Sequence, residues 1–238
     1  MVLTEPCPSR SIDARSYGYR RTLIQIARAA VCSVALLAGT AVTSATAAEP
    51  LKVVAFGDSL TAGFGLPAQD GFVPRLRAAV ADKGIAAEIE NAGVSGDTAT
   101  DGLARLDWSV PPGTDAVILE LGANDMLRGI NPQVARDALE KILRRLTDRH
   151  IAVLLCGMRA APNLGPDYDQ SFDRIYPELA AKYGVLLYPF FLDGVAADLS
   201  LTQHDGLHPS AAGVGVIVTR ILPKVEQLIG LVHARHPS

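Results

Sequence analysis

Leu51-Lys52-Val53-Val54-Ala55-Phe56-Gly57-Asp58-Ser59-Leu60-Thr61 is the stretch that decides the fold. Apart from Lys52 its first six residues are apolar, and they run into a glycine and a polar turn. A strand that is apolar at consecutive rather than alternate positions is covered on both faces, as in a parallel sheet between helical layers. The unit recurs outward from there. Apolar runs of strand length lie at Ile85 to Glu90, Asp115 to Gly122, Ile151 to Gly157 and Val185 to Tyr188. Helical stretches fall between them: Phe72 to Lys83, Thr100 to Leu106, Pro132 to Arg149, Phe172 to Tyr183, and finally Ala211 to Ile229, where Pro223 predicts a kink. Val134, Ala138, Ile142 and Leu146 form the expected apolar stripe of the third helix. The alternation predicts a single three-layer, doubly wound α/β domain with five parallel strands in the flavodoxin-like order 2-1-3-4-5. Such folds bind ligands beyond the C-terminal ends of their strands.

The first 48 residues have a different character. Arg20, Arg21 and Arg28 precede the small-residue apolar run Ala29 to Val42, and Ala45-Thr46-Ala47-Ala48 follows. Positive, apolar, then small is the order of a cleavable export signal. Residues 1–48 are therefore expected to be a signal peptide, and 49–238 one domain located in the periplasm or outside the cell. The apolar run is about 14 residues, short of the roughly 20 needed to span a bilayer. The whole chain of 238 residues has 22 basic and 25 acidic side chains. Without the five arginines and two acids of the leader, 17 and 23 remain, a net −6. That balance offers nothing to nucleic acid. Only Cys156 is left of three cysteines, in an apolar run, and it reads as a core thiol. No cysteine–histidine cluster or HExxH pattern suggests a metal.

Polar, glycine-marked segments follow the strands where the fold would converge them: Gly57-Asp58-Ser59-Leu60-Thr61, Gly93-Val94-Ser95-Gly96-Asp97-Thr98, Gly122-Ala123-Asn124-Asp125 and Asp205-Gly206-Leu207-His208-Pro209. Serine is a weak nucleophile and needs a base within hydrogen-bond reach. Imidazole titrates near neutral pH and can serve, so His208 is the candidate base. Asp205, three residues earlier, can bind Nδ1 and leave Nε2 facing Ser59. The negative oxygen of a tetrahedral intermediate needs donors. The backbone N–H groups of Ser59 and Gly96 and the side-chain amide of Asn124 are the candidates. Asp58 is expected to position the nucleophile loop, Asp125 to brace its own turn, and Asp97 and Thr98 to close a loop at the head of the next helix. His150 and His204 read as surface residues.

These four blocks resemble those of the GDSL, or SGNH, hydrolase superfamily, over roughly residues 51–230. Within it the chain is similar to the branch of bacterial thioesterases and arylesterases. Further likeness lies in Asn91 to Thr98, Tyr176-Pro177 and Pro189-Phe190-Phe191. The resemblance implies an SGNH hydrolase fold, no cofactor, and cleavage of aryl or acyl esters, lysophospholipids or thioesters through Ser59, Asp205 and His208. Met126 stands where the family often has glycine, at the pocket rim. Met158, Arg159 and Leu164, in the loop after the fourth strand, are expected to wall the pocket. The expected partner is a small ester or lipid, with no stable membrane insertion once the leader is removed.

Alternatives follow from the same residues. A carbohydrate acetylesterase would use the same catalytic blocks. An α/β-hydrolase would carry G-x-S-x-G, and Gly93-Val94-Ser95-Gly96-Asp97 lacks the final glycine. A flavodoxin-like binding module would want a G-x-G-x-x-G register that Gly57 to Gly63 does not provide.

Overall fold

The computed structural model describes residues 49–235; the expected leader at 1–48 lies outside them. Five parallel strands form one sheet: β1 (Leu51–Gly57), β2 (Ala87–Gly93), β3 (Ala116–Glu120), β4 (Ala152–Cys156) and β5 (Leu186–Tyr188). Their order is β2-β1-β3-β4-β5, as expected. The register pairs Val53 with Ala116 and Ala116 with Ala152, so the ends of β1, β3 and β4 are level. β3 and β4 are buried at every position, which is why their sequences show no polar alternation.

The helices are α1 (Ser59–Ala62), α2 (Phe72–Asp82), α3 (Ala99–Ser109), α4 (Ala123–Leu127), α5 (Pro132–Asp148), α6 (Pro166–Asp173), α7 (Ile175–Tyr183) and α8 (Ala211–Arg235). α2 packs on α8, while α3 packs on α5 and α5 on α7, giving the two outer layers. None of the described helices is long and apolar enough to cross a membrane. Cys156 is buried and unpaired among the described residues, and burial pushes its pKa far up.

Several expected boundaries shift for identifiable reasons. β2 begins at Ala87 rather than Ile85 and runs on to Gly93. It is an edge strand with only Ile89 fully buried, so its apolar signal is faint. α3 is longer than expected at both ends: Thr98 and Asp101 form a capping box that starts it at Ala99, and it runs on to Ser109. The stretch predicted as one helix over Phe172 to Tyr183 is two, divided at Arg174. Pro177 explains the break: it has no N–H for the Asp173 carbonyl, and its ring would clash there. The buried stripe of α5 is Ala135, Ala138, Leu139, Ile142, Leu143 and Leu146, with Val134 exposed. A strict four-residue repeat drifts about 40° per step on a 3.6-residue helix, enough to turn Val134 out of the core. α8 continues without interruption through Pro223 to Arg235.

Candidate active site

β1 delivers the loop that carries Ser59, the expected nucleophile. Asp58 caps α1, its carboxylate accepting the Leu60 N–H at 3.0 Å, and Ser59 occupies the first helical position. From the far end of the chain, the loop before α8 brings His208 to it. Nε2 of His208 lies 3.0 Å from Ser59 Oγ. Nδ1 lies 2.6 Å from Asp205 Oδ2. Asp205 Oδ1 also accepts the backbone N–H groups of Leu207 (2.9 Å) and His208 (3.0 Å). One carboxylate therefore shapes the turn and orients the ring. The hydrogen bond from the His208 ring, then that from its backbone, hold the Asp205 pKa down at about 2. Asp205 is thus ionised at any working pH and can only accept, so Nδ1 carries the proton and Nε2 is left as the acceptor from serine.

Asn124 lies on α4, at the end of β3. Its Nδ2 stands 3.2 Å from Asp58 Oδ2 and 3.0 Å from the Asp97 carbonyl. An amide nitrogen has two hydrogens, so both are engaged; donating to a substrate oxygen requires sharing one or giving up the Asp97 contact. Gly96 has φ +89°, a conformation that suits glycine. A Cβ there would meet nothing closer than 3.6 Å, so the backbone angle, rather than crowding, is what calls for glycine. The Gly96 carbonyl accepts Arg128 Nη2 at 2.7 Å.

Beneath the nucleophile loop lies a carboxyl pair that the sequence reading half missed. Asp58 and Glu120 are both fully buried. Glu120 Oε2 accepts the Thr61 hydroxyl (2.7 Å) and the Asp58 N–H (3.3 Å), while its Oε1 has no hydrogen-bond partner among the described residues. Burial first, and the neighbouring Asp58 charge second, drive the Glu120 pKa well above the carboxylate range. Burial raises Asp58 to about 6, its hydrogen bonds to Leu60, Glu120 and Asn124 opposing the rise. The signal was available: Glu120 interrupts an otherwise apolar strand.

Arg105 was also missed. Its guanidinium is buried and binds Asp97 Oδ2 (2.5 Å), the Gly57 carbonyl (2.8 Å) and the Ala92 carbonyl (2.9 Å), with the Phe56 ring 4.3 Å beneath. It ties the ends of β1 and β2 to the loop carrying Gly96. Asp97 serves this ion pair, a more specific task than loop closure. Asp125 does not only brace its own turn: buried, with a pKa raised by that burial, it accepts the Ala99 N–H at 2.8 Å and secures the start of α3. His150 and His204 are exposed.

A cavity of about 270 Å³ opens at Ser59 and His208, walled by apolar residues such as Met126, Leu127, Met158, Phe190, Leu192 and Val195. Asn124 and Arg159 also line it, with Arg159 Cζ 5.0 Å from the Phe190 ring centre. Leu164, expected in the wall, sits on the short helical turn Pro162–Leu164 away from this lining. A larger groove of about 710 Å³ beside α5 and α6 is lined by none of Ser59, Asp205 and His208.

The pattern of the GDSL-like lipase/acylhydrolase family matches residues 55–216. The chain belongs to that family. A Pseudomonas aeruginosa protein named esterase TesA is 37% identical over 194 residues, covering 81% of this chain and 96% of that one. An arylesterase of Vibrio mimicus is 38% identical, covering 70% and 84%. The crystal structure of AlinE4, described as an SGNH-hydrolase family esterase, is 46% identical, with a TM-score of 0.64 over 75% of this chain and 96% of that chain. As a GDSL-family member with such relatives, the chain is an ester hydrolase of the SGNH fold.

Proposed function

We propose that the chain is an exported serine esterase that forms an acyl-enzyme at Ser59. The observation that carries this reading is the continuous line from Asp205 through both ring nitrogens of His208 to Ser59 Oγ, at 2.6 and 3.0 Å. Ser59 Oγ attacks the ester carbonyl carbon and its proton passes to Nε2. The new C–O bond places negative charge on the former carbonyl oxygen, which the N–H groups of Ser59 and Gly96 and the Asn124 amide can receive. Collapse breaks the bond to the alcohol, which leaves with the proton from Nε2. Water then attacks the acyl-enzyme, again giving its proton to Nε2, and releases the acid and Ser59.

The cavity supports the substrate class. Ligand pockets usually measure about 300–1,000 Å³, so 270 Å³ suits one aromatic ring or a short acyl chain. Its mostly apolar wall offers few partners for sugar hydroxyls, which favours an aryl or acyl ester over an acetylated carbohydrate. The sequence of 1–48 supports export, and an exported enzyme meets esters and lysophospholipids more readily than cytosolic thioesters. Treatment with an organophosphonate should label one residue, Ser59, in step with loss of aryl ester hydrolysis. Ser59→Ala should take no label and have no turnover. Label on Ser95 with loss of activity would overturn the assignment.

A further inference from the structure

Gln203 stands between the two halves of the catalytic pair, and no reading of the sequence singled it out. Its Nε2 donates to the Phe64 carbonyl at 2.8 Å and to the Pro209 carbonyl at 3.0 Å. Its backbone N–H donates to the His208 carbonyl at 2.7 Å. On the serine side, the Phe64 N–H donates to the Ser59 carbonyl at 3.1 Å. One residue, Phe64, therefore connects the Ser59 backbone, through its N–H, to the Gln203 side chain, through its carbonyl, and Gln203 connects onward to the backbone of His208. The Phe64 ring completes the contact, with its centre 4.7 Å from the imidazole. Opposite the amide, Gly65 has φ +74°, and a Cβ there would collide with Gln203 Oε1.

We infer that Gln203 is a positioning residue that sets the Ser59–His208 separation. This rests on the proposed roles of Ser59 and His208. Asp205 fixes the imidazole within its own loop, but it does not touch the nucleophile loop. Between the two loops, whose catalytic residues are 149 positions apart in sequence, the Gln203 amide supplies hydrogen bonds to backbone on both sides. Glutamine has the reach and the two hydrogens for two carbonyls at once; glutamate would oppose both with negative charge.

The test compares Gln203→Met, which keeps length without donors, with Gln203→Glu, on the full mature chain. Displacement by about 1 Å can cost roughly 10²-fold in rate. For Gln203→Met we expect kcat down about 10- to 100-fold with KM within about threefold, and Ser59 phosphonylation slowed by the same factor. Gln203→Glu should be at least as slow. Gly65→Ala should slow the enzyme too, and combining it with Gln203→Met should add little, because the collision and the tether are lost together. If one glutamine variant fails to fold, the other and Gly65→Ala still decide. Native kcat in Gln203→Met, or a loss that matches the fraction of unfolded protein with normal phosphonylation of the rest, would overturn the positioning role. Turnover in Ser59→Ala would instead overturn the reading beneath it.

Discussion

Replacing Asp58 by asparagine should make the protein more stable and a poorer catalyst. Asp58 is fully buried, and burial moves its pKa from an ordinary 3.8 to about 6. At about 1.4 kcal/mol per pH unit, carrying that charge in the folded state costs on the order of 3 kcal/mol above pH 7. Because the folded pKa is above the unfolded one, the folded state takes up the proton first as pH falls. Stability from this group is complete below about pH 4 and is lost as pH rises through about 6. The asparagine side chain would mimic the protonated form at every pH and keep one oxygen for Leu60 or Asn124, but not an ionised oxygen for each. Urea denaturation at pH 8 should show the variant more stable by about 2–3 kcal/mol, with a flatter pH dependence between 4 and 7. Aryl ester turnover should fall roughly 10- to 100-fold as Asn124 loses its anionic anchor, a change of about 1.4–2.7 kcal/mol in the barrier. A variant less stable than wild type at pH 8, with an unchanged pH slope, would refute the reasoning. It would mean that the hydrogen bonds to Asp58 outweigh its desolvation.

Asn124→Ala should fold normally and lower kcat by about 10²–10³-fold with KM nearly unchanged, read by steady-state kinetics on an aryl ester. Asp205→Asn should cut the plateau rate by loss of the tautomer lock, and His208→Ala should cut it further, since it removes the proton acceptor itself. In wild type the acid limb of the rate should not follow Asp205, which stays ionised down to about pH 2. A wild-type limb that disappears in Asp205→Asn without loss of plateau would contradict this assignment.

The sheet was legible because β1, β3 and β4 are buried on both faces and so write their burial directly into consecutive apolar residues. β2, at the edge, left a weak trace and was misplaced by two to three residues. The convergence of Ser59, His208 and Asp205 was legible because the chemistry proposed for them needs particular residue types at strand ends, and glycines mark those turns. Arg105 and Gln203 were not legible. Their work is to join backbone carbonyls that are distant in sequence, and an isolated arginine or glutamine gives no sign of which carbonyls it will meet. Asp125 was misjudged for the same reason, its partner being 26 residues away. Leu164 was placed in the pocket by proximity to Met158 in sequence, whereas the intervening turn carries it elsewhere.

His208 and Asp205 occupy one short turn, while Ser59 lies 149 residues before His208. At roughly 10 residues per second of synthesis, Ser59 leaves the ribosome about 15 s before His208. In that interval the first strands can pair and α1 can form, but the imidazole that lies 3.0 Å from Ser59 Oγ in the finished fold has not been made. His208 is then held in place by a loop leading into α8, which lies against α2 and β4. On the proposed roles of Ser59 and His208, an unfinished chain, or one whose last helix has not docked, would be inert toward esters, and hydrolysis would report that the final element of the fold has arrived.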